Sequence, residues 1–152
     1  MNPAVREQMM HKALCLAEEA AAAGDVPVGC VIADAEGRII GRGRNRREAS
    51  HDATAHAELE AIREACAALH DWRLDGCSIY VTLEPCPMCA GAIINSRIPR
   101  VVFGVREENT GSCGSVIDLF SERYSHHPAV FSGVCEAESK DLLQRFFQEK
   151  LS

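Results

Sequence analysis

Two cysteines and a histidine–glutamate pair hold the chemistry of this sequence. Cys86 and Cys89 stand three positions apart in Val81-Thr82-Leu83-Glu84-Pro85-Cys86-Pro87-Met88-Cys89-Ala90. That stretch reads as a buried strand, a sharp turn and the start of a helix. Pro87 suits the first helical position, where its missing N–H would be unpaired anyway. On such a helix, residues three apart share a face, and the positive N-terminus favours thiolate. Two converging thiolates suit Zn²⁺, which takes sulfur at roughly 2.3 Å. Redox pairs share the spacing, so the cysteines alone leave both chemistries open.

His56 and Glu58 lie upstream, in the first turn of another predicted helix. Zinc ligands from one helix are usually three or four apart; a separation of two does not share a face. His56 is therefore read as a ligand and Glu58 as a neighbouring acid. One nitrogen and two sulfurs make three protein ligands. Catalytic zinc sites keep a fourth position for water, whereas structural sites are closed by four protein ligands. Zinc lowers the pKa of such a water to roughly 7. A carboxylate beside it can take the proton and hand it on, a role worth about 10²–10⁴-fold in rate. Singly, each residue has a plainer reading: His56 as a satisfied polar group, Glu58 as an acid favoured near a helix N-terminus. Their conjunction at two helix starts points to a metal centre. The remaining cysteines, Cys15, Cys30, Cys66, Cys77, Cys113 and Cys135, read as small buried hydrophobes. One of them in the fourth position would make the zinc structural.

The elements that must position these groups follow from periodicity and punctuation. Asn2-Pro3 opens a helix whose apolar residues Val5, Met9, Ala13, Leu16, Ala17 and Ala20 recur at helical spacing, and Gly24 ends it. Val26–Ala33 is predicted as a strand, Asp34–Gly37 as a hairpin connection and Arg38–Arg44 as the returning strand. Asn45–Ala53 is polar and predicted irregular, a loop suited to binding residues. Thr54 is a predicted N-cap for a helix over Ala55–Leu69, with Leu59, Ile62, Ala65 and Cys66 inward. Cys77–Leu83 is nearly all apolar, so it should be a central strand covered on both faces. A helix over Pro87–Ser96, a strand over Arg100–Val105 and a Gly-containing loop over Glu107–Ser115 follow. Val116–Phe120 is a predicted helical piece, Ala129–Val134 a last strand and Glu136–Lys150 a last helix. Strands alternating with helices predict an α/β fold: a mixed sheet between helices, opening with a hairpin. No linker divides the chain, so one domain over residues 1–152 is expected.

Composition narrows the function classes. Hydrophobic content of 47% and charged content of 25% fit a soluble globular protein. No apolar run approaches the roughly 20 residues of a membrane span, and Met1–Glu7 lacks the basic-then-apolar pattern of a secretory signal. Eight cysteines without such a signal argue for reduced thiols and a cytoplasmic location. The net charge of −6 is awkward for a nucleic-acid binder. Yet Arg38, Arg42, Arg44, Arg46 and Arg47 fall in an acid-free stretch, either a solvated basic edge or a phosphate-binding one.

His56-Ala57-Glu58 with Pro85-Cys86-Pro87-Met88-Cys89 resembles the signature of zinc nucleoside and nucleobase deaminases. Over nearly the whole chain, segments such as Pro27-Val28-Gly29, Arg44-Asn45, Tyr80–Cys86, Ala90–Ile93, Ser96-Arg97-Ile98 and Arg100–Gly104 are similar to bacterial tRNA-specific adenosine deaminases. That resemblance implies a five-stranded, three-layer α/β/α fold of the cytidine-deaminase-like kind. It implies a homodimer with one Zn²⁺ per subunit that converts the wobble adenosine of a tRNA anticodon stem-loop to inosine. By resemblance Glu58 is the proton shuttle, and His56, Cys86 and Cys89 are the zinc ligands. Asn45, Val28, Pro85, Glu107 and Phe147 fall to substrate binding. Of Phe146 and Phe147, one should be core and the other a stacking surface. Glu107-Glu108 stand where the family usually carries Asp, and Ser125-His126-His127 where it carries an Asn-His pair. A guanine or cytosine deaminase, or a structural zinc module that only binds RNA, are the alternatives.

Overall fold

The computed structural model describes residues 1–151. Five strands form one mixed sheet: β1 (Gly29–Ala33), β2 (Ile39–Arg44), β3 (Ser78–Leu83), β4 (Arg100–Val105) and β5 (Ala129–Phe131), in the order β2-β1-β3-β4-β5. β1 pairs antiparallel with both β2 and β3, while β3–β4 and β4–β5 are parallel. The hairpin and the mixed sheet are as the alternation of elements predicts.

Period-two alternation divides the strands between two helical layers. Cys30, Ile32, Ile79, Val81, Val101 and Phe103 face one core, shared with α3 (Ala57–Leu69) and α4 (Pro87–Asn95). Val31, Ala33, Tyr80 and Val102 face the other, shared with α1 (Pro3–Ala22) and with Leu142 of α5 (Glu136–Leu151). β3 is buried along most of its length, as expected of a strand covered on both faces. α1 begins with the predicted cap: Asn2 Oδ1 accepts from Ala4 N at 2.8 Å.

Several predicted boundaries move, each for a local reason. The extended stretch from Val26 pairs as a strand only from Gly29. The predicted irregular segment 45–53 contains one short helix, α2 (Arg47–Ser50). Thr54 does not cap α3: its hydroxyl donates to Asp52 Oδ1 at 2.7 Å, and the helix begins at Ala57 with His56 as N-cap. The face that α3 buries is Ala57, Ala61 and Ala65 in place of Leu59. Gly41 and Gly43 of β2 are the cause, since a Cβ on either would strike the carbonyl oxygens of Ala61 or Ala57. Small residues on both sides let α3 lie close against β2. The predicted helical piece at Val116–Phe120 is a 3₁₀ turn at Leu119–Ser121, and β5 is a short edge strand that ends at Phe131. Cys15 is exposed, contrary to expectation, because it stands on the outer face of α1, while Cys66 and Cys135 are half-buried.

Candidate active site

The N-termini of α3 and α4 meet at one end of the sheet, beyond the carboxyl end of β3. His56 is the N-cap of α3 and Cys86 the N-cap of α4, with Pro87 in the first turn as predicted. Neither cap residue makes a side-chain capping bond. Their side chains turn instead to each other: His56 Nδ1 lies 3.7 Å from Cys86 Sγ and 3.5 Å from Cys89 Sγ.

The orphan N–H of Ala57 is satisfied from a distance. Asn45 Oδ1 accepts from it at 3.0 Å, reaching across from the end of β2. This bond ties the substrate-side asparagine predicted from sequence to the helix that presents His56 and Glu58.

The donor set fits zinc. With Zn–S near 2.3 Å and Zn–N near 2.0–2.1 Å, a tetrahedral N···S edge is about 3.6 Å, against 3.5 and 3.7 Å here. The cluster is His56, Cys86 and Cys89, and among the described residues no further Cys, His, Asp or Glu joins it. Hydrogen bonding from Cys89, helped by His56, holds the Cys86 thiol down to about 4, while the same bond and burial hold Cys89 well up. A divalent cation bound by both sulfurs would displace the thiol proton.

Glu58 sits in the first turn of α3, 3% exposed. Burial pushes its carboxyl up to about 7, against the lowering effect of backbone hydrogen bonding and of His56. It is outside the donor cluster. A cavity of about 310 Å³ opens over these groups, at the small end of ligand clefts, which run from roughly 300 to 1,000 Å³. Of the predicted residues, His56, Glu58 and Cys86 line it together with Asn45 and Val28. Glu107 and Phe147 line it from elements remote in sequence. Phe147 is 50% exposed, whereas Phe146 is buried at 8%, so the two adjacent rings divide as expected.

Pro85 is not brought to the cavity. It is buried, and its carbonyl accepts from Ser112 N at 2.9 Å. Glu107 Oε1 accepts from Asn109 N at 2.9 Å, so the longer acid at this position braces its own loop. His126 Nε2 donates to Ile98 O and His127 Nδ1 to Phe120 O, each at 2.7 Å. Those rings serve the backbone and do not line the cavity.

Sequence reasoning gave Glu84 no role of its own. It is 2% exposed and accepts from Glu107 N at 3.0 Å, Cys113 N at 3.0 Å, Ser115 N at 3.1 Å and the Ser115 hydroxyl. Burial raises its carboxyl pKa, but these bonds outweigh burial and hold it below the usual glutamate range. Gly111 packs so close that a Cβ there would strike the Glu84 carboxyl. The signal in the sequence is an acid continuing an apolar strand, since a buried charge has to be met by donors. The donors lie in the loop that carries Glu107, Asn109 and Thr110 to the cavity.

A five-stranded mixed sheet that presents a His/Cys/Cys cluster at two helix starts, with a buried glutamate beside it, defines a zinc deaminase. The chain belongs to the cytidine and deoxycytidylate deaminase zinc-binding family, whose model matches residues 3–105. It is 46% identical over 144 residues to a tRNA-specific adenosine deaminase of Bacillus subtilis strain 168, covering 94% of this chain and 89% of that one. A structure solved in a study of A-to-I editing by tRNA:A34 deaminases at the wobble position superposes with a TM-score of 0.85 at 44% identity, covering 90% of this chain and 99% of that one. The chain is also 49% identical over 140 residues to a tRNA(Ile)-lysidine synthase of Deinococcus deserti, where 92% of this chain spans only 26% of the relative. No helix among the described residues is long and apolar enough to cross a membrane.

Proposed function

We propose that this chain is a single zinc-dependent deaminase domain that hydrolyses adenosine to inosine and ammonia at the wobble position of a tRNA anticodon. It works in the cytoplasm as a homodimer with one Zn²⁺ per subunit. The observation that carries the reading is the three-donor cluster, with no fourth protein donor among the described residues, under a cavity that the buried Glu58 also lines. The relatives named for this reaction support the RNA substrate.

His56 and the thiolates of Cys86 and Cys89 would hold the metal. The chemistry the ion supplies when bound is a water acidic enough to attack near neutral pH. Glu58 moves the protons. It accepts one from the attacking water and passes it to the adenine ring nitrogen, then takes the proton of the new C6 hydroxyl and hands it to the amino group, which leaves as ammonia while C6–O becomes the carbonyl. A carboxyl that burial holds near 7 can both take and give a proton at neutral pH. Asn45 has committed Oδ1 to Ala57 N–H, so it offers its amide N–H₂ to the base or ribose. Val28 and Phe147 supply apolar walls, and a splayed anticodon-loop base can enter such a cavity at small unstacking cost.

The test is to sequence tRNA for inosine after exposure to wild type and to Glu58→Ala, with bound zinc measured in parallel. Glu58→Ala should keep its zinc and lose turnover; Cys86→Ala should lose both. Loss of zinc in Glu58→Ala would make Glu58 a ligand and overturn the assignment. Ammonia from guanine with no inosine in RNA would move the reaction to a free base.

A further inference from the structure

Arg47 is, among the described residues, the one Arg or Lys lining the cavity over His56 and Glu58. The same lining carries three carboxylates, those of Glu58, Glu84 and Glu107, in a chain of net charge −6. A nucleotide whose base enters this cavity brings phosphodiesters to its mouth. Phosphate among carboxylates calls for a cation, and contacts to phosphate fix the register of a nucleic acid on a protein.

The setting of Arg47 suits that task. Its Nε is buried and without a hydrogen-bond partner. It lies 3.8 Å from Asp25 Oδ1, too far for a hydrogen bond. Asp25 is itself fixed, accepting from Val26 N at 2.9 Å and Glu48 N at 2.8 Å. The carboxylate therefore draws the guanidinium to the wall by charge and leaves its donors unused, while the Arg47 side chain stays 39% exposed. The rest of the basic stretch is differently placed. Arg38 is bound to Asp34 at 2.9 Å, Arg46 to Glu60 at 2.8 Å and Arg44 to the Glu19 carbonyl at 2.8 Å, and none of them lines the cavity.

We propose that Arg47 binds a backbone phosphate adjoining the target nucleotide, with Asp25 setting where its guanidinium lies. This deepens the reading of an RNA substrate and rests on it. A guanidinium fork can meet a phosphate with two parallel N–H···O bonds.

The experiment compares zinc-loaded wild type, Arg47→Gln, Arg47→Lys and Arg38→Gln on a synthetic anticodon stem-loop across about 50–200 mM salt. One phosphate contact to single-stranded RNA is worth a slope of about 0.7 in log affinity against log salt. Arg47→Gln should therefore raise KM about five- to tenfold, leave kcat within about twofold and flatten the slope of log KM by about 0.7. Arg47→Lys should keep the slope, because the charge remains. Arg38→Gln should match wild type. An unchanged slope in Arg47→Gln overturns the proposal. So does an equal change in Arg38→Gln, which would be long-range charge, or a fall in kcat together with the urea midpoint, which would make Arg47 a structural strap. Wild type that forms no inosine in the RNA sinks the RNA reading as well; inosine formation with an unaltered slope sinks the arginine alone.

Discussion

Replacing Glu84 by Gln removes one oxygen acceptor and one negative charge from a group that organises the loop over the cavity. The carboxylate accepts from three backbone N–H groups at 3.0, 3.0 and 3.1 Å and from the Ser115 hydroxyl. In the better amide orientation the carbonyl oxygen keeps Cys113 N and Ser115 N, and the Ser115 hydroxyl turns to accept. Glu107 N–H is then left facing an N–H₂. Two bonds pass from charged to neutral, losing about 1 kcal/mol each, and one buried donor goes unpaired at about 1–3 kcal/mol. Relief from burying a charge returns part of that sum, so the expected net loss is about 2–4 kcal/mol. With m near 1–3 kcal/mol/M in urea, the unfolding midpoint should fall by roughly 1–2 M. KM for an anticodon stem-loop should rise as well, because the displaced loop carries Glu107, Asn109 and Thr110. The loss should depend on pH. Glu84 titrates below the usual range in the folded protein, so its contribution is complete above the ordinary glutamate pKa of about 4.3 and fades as pH falls through the folded value. Wild type and variant should therefore differ most near neutrality and converge in acid. A midpoint shift below about 0.2 M at neutral pH, or a difference that grows on acidification, would refute this account of Glu84.

Gly43→Ala places a methyl group against the Ala57 carbonyl oxygen and Ala61 N. It should cost about 1–3 kcal/mol by overpacking and weaken zinc retention, read by thermal melting and metal content, because α3 carries His56. Phe146→Ala should lose about 3 kcal/mol or more in urea unfolding, since that ring is buried. Phe147→Ala should stay within about 0.5 kcal/mol of wild type while raising KM on RNA, since its half-exposed ring lines the cavity.

Much of the architecture was legible in the sequence because its causes are local. The apolar run of β3, the Asn2-Pro3 start of α1 and the Pro87 start of α4 depend on neighbours within a few residues, and the structure has each of them. The spacing of Cys86 and Cys89 likewise follows from helix geometry within one turn. Boundaries failed where a distant partner intervened. Thr54 had the right chemistry for a cap, but Asp52 engages its hydroxyl and Asn45 satisfies Ala57 N–H from twelve positions away. Leu59 had the right periodicity for the core, but the glycines of β2 admit only an alanine face there.

The residue types and spacings by themselves determined the kind of chemistry: one imidazole, two thiols and a nearby acid, set at helix starts on an α/β frame. Only the tertiary structure decided that those starts face each other, that Glu84 holds the loop over them and that Arg47, alone of its basic stretch, lines their cavity. The physical reason is range. Periodicity and capping act over one or two turns of chain, whereas each of these juxtapositions is made by packing between segments tens of residues apart, which no local pattern encodes.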